Sequence, residues 1–182
     1  MSCLIIIGPS GAGKTKVTEL LFRTQPVVKP ISCTTRAARP GEVNGIHYHF
    51  LSEEDFQKGV DAGDFIEHAQ YAGNRYGTRY KDFEHLLHQN TDIVHVMEIQ
   101  GAIQMKQSFP DVVKLVYLER PYSELVMAIL ERDIPNEDKR DRIVKLNEDM
   151  QVASLPCIDY HVVNETDKLE ETAQKICSLL AK

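Results

Sequence analysis

The feature that most constrains this chain is a glycine-rich octapeptide near its start. Residues 8–15 read Gly-Pro-Ser-Gly-Ala-Gly-Lys-Thr, which fits the pattern G-x-x-x-x-G-K-[ST]. The apolar run Leu4 to Ile7 precedes this segment, and a helix-like stretch from Lys16 to Phe22 follows it. Strand, turn and helix in this order are the context in which the motif binds phosphate, so we predict that the chain holds a nucleoside phosphate.

The residue types in the motif suit the phosphates of ATP. Glycines let the loop turn tightly and aim successive backbone N–H groups inward, and the following helix adds about half a unit of positive charge at its N-terminus. Lys14 can neutralise the β and γ oxygens, and Thr15 can offer its hydroxyl to Mg²⁺, partly through water. The predicted ATP-binding residues of the loop are Gly8, Pro9, Ser10, Gly11, Ala12, Gly13, Lys14 and Thr15.

Length, charge and cysteine use narrow the class of protein. The 182 residues suffice for one domain with a substantial core. A formal net charge of −6 argues against nucleic acid as a main partner, because binding to phosphate backbones needs clustered Lys and Arg. The four cysteines form no C-x-x-C pair, no apolar run approaches the ~20 residues that span a membrane, and no signal peptide is evident. We therefore expect a cytoplasmic protein without membrane contact. The expected assembly, a monomer or a homodimer, does not follow from these features.

Apolar strand candidates alternate with helix-like segments along the chain. The predicted strands are Cys3–Ile7, Asp92–Met97, Val112–Tyr117 and Tyr160–Val163. The predicted helices are Lys14–Arg23, Ala102–Ser108, Ser123–Leu130 and Leu169–Leu180. This alternation predicts an α/β fold in which a parallel sheet carries helices on both faces.

Two segments interrupt the alternation. One contains a strand-like pattern at Ile46–Leu51, a helix start resembling a capping box at Ser52–Asp55 and a second strand-like pattern at Phe65–Glu67, which together predict an inserted α+β subdomain. The other, residues 132–142, is dense in charge. Such a run alone fits a solvated connection between helices, but beside a phosphate loop it also fits a mobile lid that brings arginines onto the phosphates.

The motifs of the insertion resemble those of a known family. Ser32 to Phe50 read Ser-Cys-Thr-Thr-Arg-Ala-Ala-Arg-Pro-Gly-Glu-Val-Asn-Gly-Ile-His-Tyr-His-Phe, and Phe65-Ile66-Glu67 and Gly73-Asn74-Arg75-Tyr76-Gly77-Thr78 follow. Together with the phosphate loop and with Glu98-Ile99-Gln100-Gly101-Ala102, this order resembles the guanylate kinase family over essentially the whole chain.

The resemblance implies a fold and a reaction. The implied fold is a three-layer P-loop core with a parallel sheet, at about residues 1–30, 81–125 and 152–182, an inserted α+β GMP-binding subdomain at about 31–80, and a small helical lid at about 126–151. The implied reaction transfers the γ-phosphoryl group of ATP to GMP or dGMP, with Mg²⁺ carried by ATP, and gives ADP and GDP.

Charged and polar side chains of the insertion could bind a nucleoside monophosphate. Its phosphate carries about two negative charges near neutral pH, and planar guanidinium groups bind such oxygens through paired hydrogen bonds. Arg36 and Arg39, with the hydroxyls of Tyr48 and Tyr76, form a plausible clamp. Without the flanking motifs, two arginines three residues apart would fit a surface role equally well.

The base of the acceptor also has candidate partners. Guanine presents two adjacent donors, N1–H and the exocyclic amine, which one carboxylate can accept together. Glu67 is the residue we expect to recognise them, as the resemblance also implies, and Ser32 and Thr78 could hydrogen-bond the remaining edge, notably O6. Such a site can discriminate on the order of 10⁴-fold, because the wrong base leaves buried polar groups unpaired.

Further site residues follow from the resemblance. Glu98 stands where the family carries the aspartate of Asp-x-Gln-Gly, near the acceptor, whereas the family's second aspartate two residues earlier is Val96 here. Asn164 matches a family position near the donor nucleotide.

The predicted lid departs from the family pattern. The first arginine position is Ala128, the second is Arg132, and the third falls to Arg142 or Arg140, of which we favour Arg142. The expected catalytic residues are Lys14, Arg36, Arg132 and Arg142.

Other functions remain open at this point. The seven histidines show no metal-ligand pattern, so Mg²⁺ with the nucleotide is the one metal we expect. A catalytically silent module of the same fold could bind a phosphorylated peptide through the basic clamp, although the intact Gly13-Lys14-Thr15 argues against it. A related kinase for another phosphorylated acceptor is the second alternative. The combination of Arg36, Arg39, Tyr48 and Glu67 disfavours it.

Overall fold

The computed structural model describes residues 1–71 and 73–180. The elements in chain order are β1 (Cys3–Ile7), α1 (Lys14–Thr24), β2 (Cys33–Thr34), β3 (His49–Phe50), α2 (Glu53–Asp61), β4 (Phe65–Tyr71), β5 (Asn74–Arg79), α3 (Tyr80–His88), β6 (Ile93–Val96), α4 (Ile99–Ser108), β7 (Val113–Glu119), α5 (Tyr122–Leu130), α6 (Asn136–Gln151), a 3-10 turn (Val152–Ser154), β8 (Tyr160–Val163) and α7 (Leu169–Leu180).

A four-stranded parallel sheet in the order β6-β1-β7-β8 forms the core. All five residues of β1 are buried, as expected for a central parallel strand that is covered on both faces. Leu4 and Ile6 pack in the layer that contains α1, α5, α6 and α7. Cys3, Ile5 and Ile7 pack on the opposite side against α3 and α4. The predicted α/β fold with helices on both faces of a parallel sheet is confirmed.

A second, mixed sheet has the order β3-β2-β5-β4. Its β2–β3 pair is parallel, whereas β5 pairs antiparallel with both β2 and β4. Helix α2 packs on it through Phe56, whose ring stacks on Phe65 at a centroid distance of 4.5 Å. As predicted, Ser52 caps the start of α2, and its Oγ accepts a hydrogen bond from the Asp55 backbone N–H at 3.0 Å.

Some predicted elements have different bounds in the structure. The strand expected over Ile46–Leu51 shrinks to His49–Phe50, because residues 45–47 form a turn in which Val43 O accepts from the N–H groups of Ile46 and His47. In the charged run, a short turn leads to α6, which begins directly after Pro135. No helix in residues 1–71 and 73–180 combines the length and apolarity needed to cross a membrane.

Candidate active site

The phosphate loop lies at the carboxyl edge of the parallel sheet. It connects the end of β1 at Ile7 to the start of α1 at Lys14, so the amino end of α1 points into the loop. The neighbouring strand β6 ends at Val96, and Glu98 follows as the N-cap residue of α4. Ligands of open α/β sheets bind at this edge.

The Asn164 side chain packs against the backbone of the phosphate loop. Gly13, the N-cap residue of α1, has φ 91°, a left-handed conformation that favours glycine, and a Cβ there would collide with the Asn164 amide. The amide Nδ2 donates to Ala12 O at 2.7 Å, and Asn164 is only 6% exposed. This side chain therefore fixes the loop backbone, and its contact with a nucleotide stays a prediction.

Lys14 is folded back over the loop. Its Nζ donates to Gly8 O at 2.5 Å and to Pro9 O at 3.0 Å. Burial lowers the pKa of Lys14, an effect that the carboxylates of Glu98 and Asp149 oppose. The ammonium group thus has partners that a bound phosphate could replace.

Both favoured lid arginines lie near Lys14. Their positive charges add to the lowering of the Lys14 pKa. Arg142 Nη1 donates to Ser10 Oγ at 3.3 Å, which links α6 to the phosphate loop. Arg132 and Arg140 are both exposed, and Arg132 lines a cavity together with Lys14. The structure thus places Arg142, rather than Arg140, next to the loop.

Two cavities meet at the end of the phosphate loop. One, of about 760 Å³, lies between the loop and α5 and is lined by Gly11, Gly13, Lys14 and Arg132 among others. The other, of about 460 Å³, lies between the parallel sheet and the second sheet. Thr15 lines both. The predicted acceptor residues that line the second cavity are Ser32, Arg36, Arg39, Tyr48, Glu67, Tyr76 and Glu98.

An ion pair organises the basic side of the second cavity. Arg36 Nη2 donates to Glu42 Oε1 at 2.9 Å, and Glu42 Oε2 accepts from the Arg39 backbone N–H at 2.7 Å. The hydrogen bond from Arg36, helped by the Arg39 amide, holds the pKa of Glu42 at about 2. The Arg36 guanidinium lies 5.6 Å from the ring centroid of Tyr48, whose ring neighbours that of Tyr76 at 6.2 Å.

The opposite side of this cavity carries a buried carboxyl group. Glu67 is 6% exposed, and burial raises its pKa to about 7. Hydrogen bonds with the side chain and the backbone of its strand partner Thr78 oppose this rise. The Thr78 hydroxyl is itself buried and, within the described part of the chain, has no partner besides this carboxyl group. A buried carboxyl group with a raised pKa on a cavity wall indicates a site for a polar ligand.

The sequence and the structure match known proteins. The family model described as guanylate kinase matches residues 1–182.

The chain belongs to the guanylate kinase family.

A guanylate kinase from Thermotoga maritima is 36% identical over 178 residues, which are 97% of this chain and 84% of that relative. One from Desulfitobacterium hafniense is 36% identical over 179 residues, 97% of this chain and 88% of that relative. The crystal structure of guanylate kinase from Anaplasma phagocytophilum superposes with a TM-score of 0.73 at 29% identity, covering 99% of this chain and 84% of that one.

Both departures from the guanylate kinase pattern face the cavities. Val96 lines the smaller cavity beside Glu98, and Ala128 lines the larger one. Ala128 also lies close to Gly11, where its Cβ would be 3.5 Å from a Cβ on the glycine. At both positions where the sequence departs from the expected family pattern, an apolar side chain therefore lines a cavity.

Arg120 lines the larger cavity but was not among the residues predicted from the sequence. Its Nη1 donates to Gly11 O at 3.1 Å, its Nε to Glu124 Oε2 at 2.9 Å, and its Nη2 to Thr166 Oγ1 at 3.0 Å. All four residues line the larger cavity. The available signal was position, because Arg120 directly follows β7 at the ligand-binding edge of the sheet.

Few side chains near the phosphate loop could bind a metal ion. Phosphoryl transfer in the guanylate kinase family needs a divalent ion. Within residues 1–71 and 73–180, no group of three or more His, Cys, Asp and Glu side chains is arranged to hold one. Thr15 presents an exposed hydroxyl at the start of α1. This set fits Mg²⁺ brought by a nucleotide, because that ion usually keeps phosphate and water ligands.

Proposed function

We propose that this protein is an ATP:GMP phosphotransferase that transfers the γ-phosphoryl group of ATP to the 5′-phosphate of GMP or dGMP. The observation that carries the proposal is the pair of cavities that meet at Thr15. One contains the phosphate loop, and the other contains arginines on one side and a buried carboxyl on the other. Membership of the guanylate kinase family supports the same reaction.

On the donor side, the loop residues Gly8 to Thr15 bind the phosphates of ATP. Lys14 exchanges the carbonyls of Gly8 and Pro9 for phosphate oxygens, which are stronger acceptors because they are charged. Thr15 is the residue that would hold Mg²⁺, partly through water, and the bound ion neutralises charge on the phosphates. Arg132 and Arg142 add positive charge where the γ-phosphoryl group transfers.

On the acceptor side, Arg36 and Arg39 bind the phosphate of GMP with the hydroxyls of Tyr48 and Tyr76. Arg36 is already held in place by Glu42, so the phosphate dianion competes with a carboxylate that has a low pKa. The competition favours the phosphate because it carries more charge.

The base of GMP extends to the other side of the cavity. An ionised Glu67 accepts hydrogen bonds from N1–H and from the exocyclic amine of guanine. The hydroxyls of Ser32 and Thr78 donate to O6. Glu98 lies between this site and the phosphate loop, within electrostatic reach of Lys14. Adenine has an acceptor at N1 in place of the donor, so it leaves the buried Glu67 without its partner.

Transfer requires no covalent enzyme intermediate. The acceptor phosphate oxygen attacks the γ-phosphorus in line, and ADP leaves. The protein contributes positioning and charge neutralisation, and closure of the lid excludes water once both nucleotides are bound.

The proposal includes the partners and the location of the protein. The partners are the nucleotides ATP and GMP, and a cytoplasmic location agrees with four free thiols, of which Cys33 has a pKa raised by burial to about 11. Cysteines that form no disulfide are typical of proteins in a reducing compartment.

A coupled assay of ADP release tests the proposed reaction. The parent protein should release ADP from ATP only when GMP is supplied, and K14M should reduce kcat on the order of 10²–10³-fold. K175M, which removes an exposed lysine from α7, should match the parent. The absence of GMP-dependent ADP release from folded protein would overturn the proposal.

A further inference from the structure

His95 lines the smaller cavity, as His47 does, and is not used by the proposed reaction. His95 lies on β6, in register with Ile5 of the neighbouring strand β1. Its ring lines the same cavity as Ser32 and Glu67. Its Nε2 is 3.2 Å from Ser32 Oγ, although 63 positions separate the two residues in the chain. The hydrogen bond therefore joins the second sheet region to the parallel sheet inside the acceptor cavity.

The imidazole of His95 is neutral near pH 7. Burial, assisted by the positive charge of Lys29, lowers the pKa of His95 to about 4. A neutral imidazole has one nitrogen that donates and one that accepts, so Nε2 can take either role toward Ser32. Val94 and Val96, which also line the cavity from β6, offer no hydrogen bond.

The role of Nε2 decides what Ser32 can offer a ligand. A serine hydroxyl has one proton to donate and two lone pairs that accept. When Nε2 carries the proton, it donates to Ser32 Oγ, and the serine proton is available for the ligand. When Nε2 is unprotonated, it accepts a hydrogen bond from the serine hydroxyl, whose proton is then not available to the ligand. Guanine O6 is an acceptor without a hydrogen, so only the first arrangement lets Ser32 donate to it.

We infer that His95 is a positioning residue for Ser32: its Nε2–H holds the serine oxygen so that the serine hydroxyl donates to a carbonyl oxygen of the acceptor base. The inference rests on the proposed function, because it requires GMP in the smaller cavity. It assigns to His95 a contribution to base binding and none to phosphoryl transfer.

Steady-state kinetics on four variants tests the inference. H95L removes the hydrogen bond, H95Q retains an amide donor at similar reach, S32A removes the hydroxyl, and H88L is the matched control on the exposed end of α3. We expect H95L to raise the KM for GMP about 3- to 10-fold, the range of one ordinary hydrogen bond, with kcat within about twofold of the parent. H95Q should recover part of the loss, and H88L should match the parent.

Two further measurements separate positioning from a structural role. In an S32A background, H95L should cause no additional rise in KM, because the two residues act through one hydroxyl. The inhibition constant of 2-aminopurine riboside 5′-monophosphate, which lacks the carbonyl, should be the same for H95L and the parent. A KM unchanged by H95L, additivity with S32A, or equal weakening of the analogue would each overturn the inference.

The kinetics of the parent protein distinguish failure of the inference about His95 from failure of the proposed function. If the parent shows GMP-dependent ADP release but H95L has the parent's KM, the inference about His95 fails and the proposed function stands. If the folded parent shows no such release, both fail.

Discussion

The carboxylate of Glu67 lies directly against Gly101 in the first turn of α4. A Cβ at residue 101 would stand 2.5 Å from Glu67 Oε2 and 3.2 Å from its Cδ. Any side chain larger than hydrogen must therefore displace the carboxyl group. Both residues line the smaller cavity, so the glycine leaves room for the group that we expect to bind the guanine base.

The first prediction concerns this contact. G101A should raise the KM for GMP by at least about 10-fold, because a displaced Glu67 loses charged hydrogen bonds to the base, while the KM for ATP stays unchanged. Q107A, at an exposed position of the same helix, is the control. Equal kinetics for G101A and the parent would show that the carboxyl position is unimportant.

The raised pKa of Glu67 predicts a pH dependence. Below about pH 7 the free protein carries a protonated Glu67, which is a poor acceptor for two guanine donors. The KM for GMP should therefore rise as the pH falls from 7.5 to 6. Titration of the GMP phosphate also changes the KM in this pH range. In E67Q the KM should change with pH through the phosphate alone. The parent-to-E67Q ratio of KM should thus change with pH, and a constant ratio would contradict the assignment.

The same group predicts an effect on stability. The pKa of Glu67 is about 7 in the folded protein against an ordinary value of 4.5, so the folded state keeps a proton that the unfolded state loses. Stability from this proton is complete below about pH 4.5 and is lost as the pH rises through 7. E67Q should exceed the parent in free energy of unfolding at pH 8, and the difference should shrink at pH 5. E84Q, on the exposed face of α3, should show no such trend in urea unfolding.

Arginine geometry is the basis of a further test of the acceptor site. Arg36 combines a planar pair of donors with contact to the Tyr48 ring, and lysine reproduces neither. R36K should raise the KM for GMP on the order of 10-fold or more, because paired charge-assisted hydrogen bonds are lost. R23K, at an exposed position of α1, should leave it unchanged. A parental KM in R36K would remove Arg36 from the phosphate clamp.

Asn164 should affect the donor side alone. N164A leaves the buried Ala12 carbonyl without its partner, which should cost about 1–3 kcal/mol in the free energy of unfolding. The KM for ATP should rise while the KM for GMP stays at the parental value. Chemical denaturation and initial rates measure the two effects, and an equal rise in both KM values would contradict a local role.

The sequence was most informative where the signal was local. The phosphate loop and the four core strands follow from a contiguous motif and from apolar runs, and each has its expected place in the structure. Glu67 and the arginines of the insertion could be proposed because motif spacing sets them apart from ordinary surface charges. Their convergence on one cavity is a property of the tertiary structure.

Contacts between distant segments were beyond the sequence reasoning. Strand β2 has two residues, too few for a periodic pattern, and β5 contains Gly77, which packs under the Phe65 ring. The hydrogen bond between Ser32 and His95 depends on how the second sheet lies against β6. The sequence does not show that Arg120 contacts the phosphate loop, because its hydrogen bond to Gly11 O joins residues far apart in the chain.

The most direct test of the whole account is an initial-rate screen of ATP against GMP, dGMP, AMP, UMP and CMP. The account predicts rapid ADP release with GMP and with dGMP, and kcat/KM values for AMP, UMP and CMP lower by on the order of 10⁴-fold, because only guanine satisfies the buried Glu67. Comparable kcat/KM values for AMP and GMP, or ADP release independent of any acceptor, would contradict it.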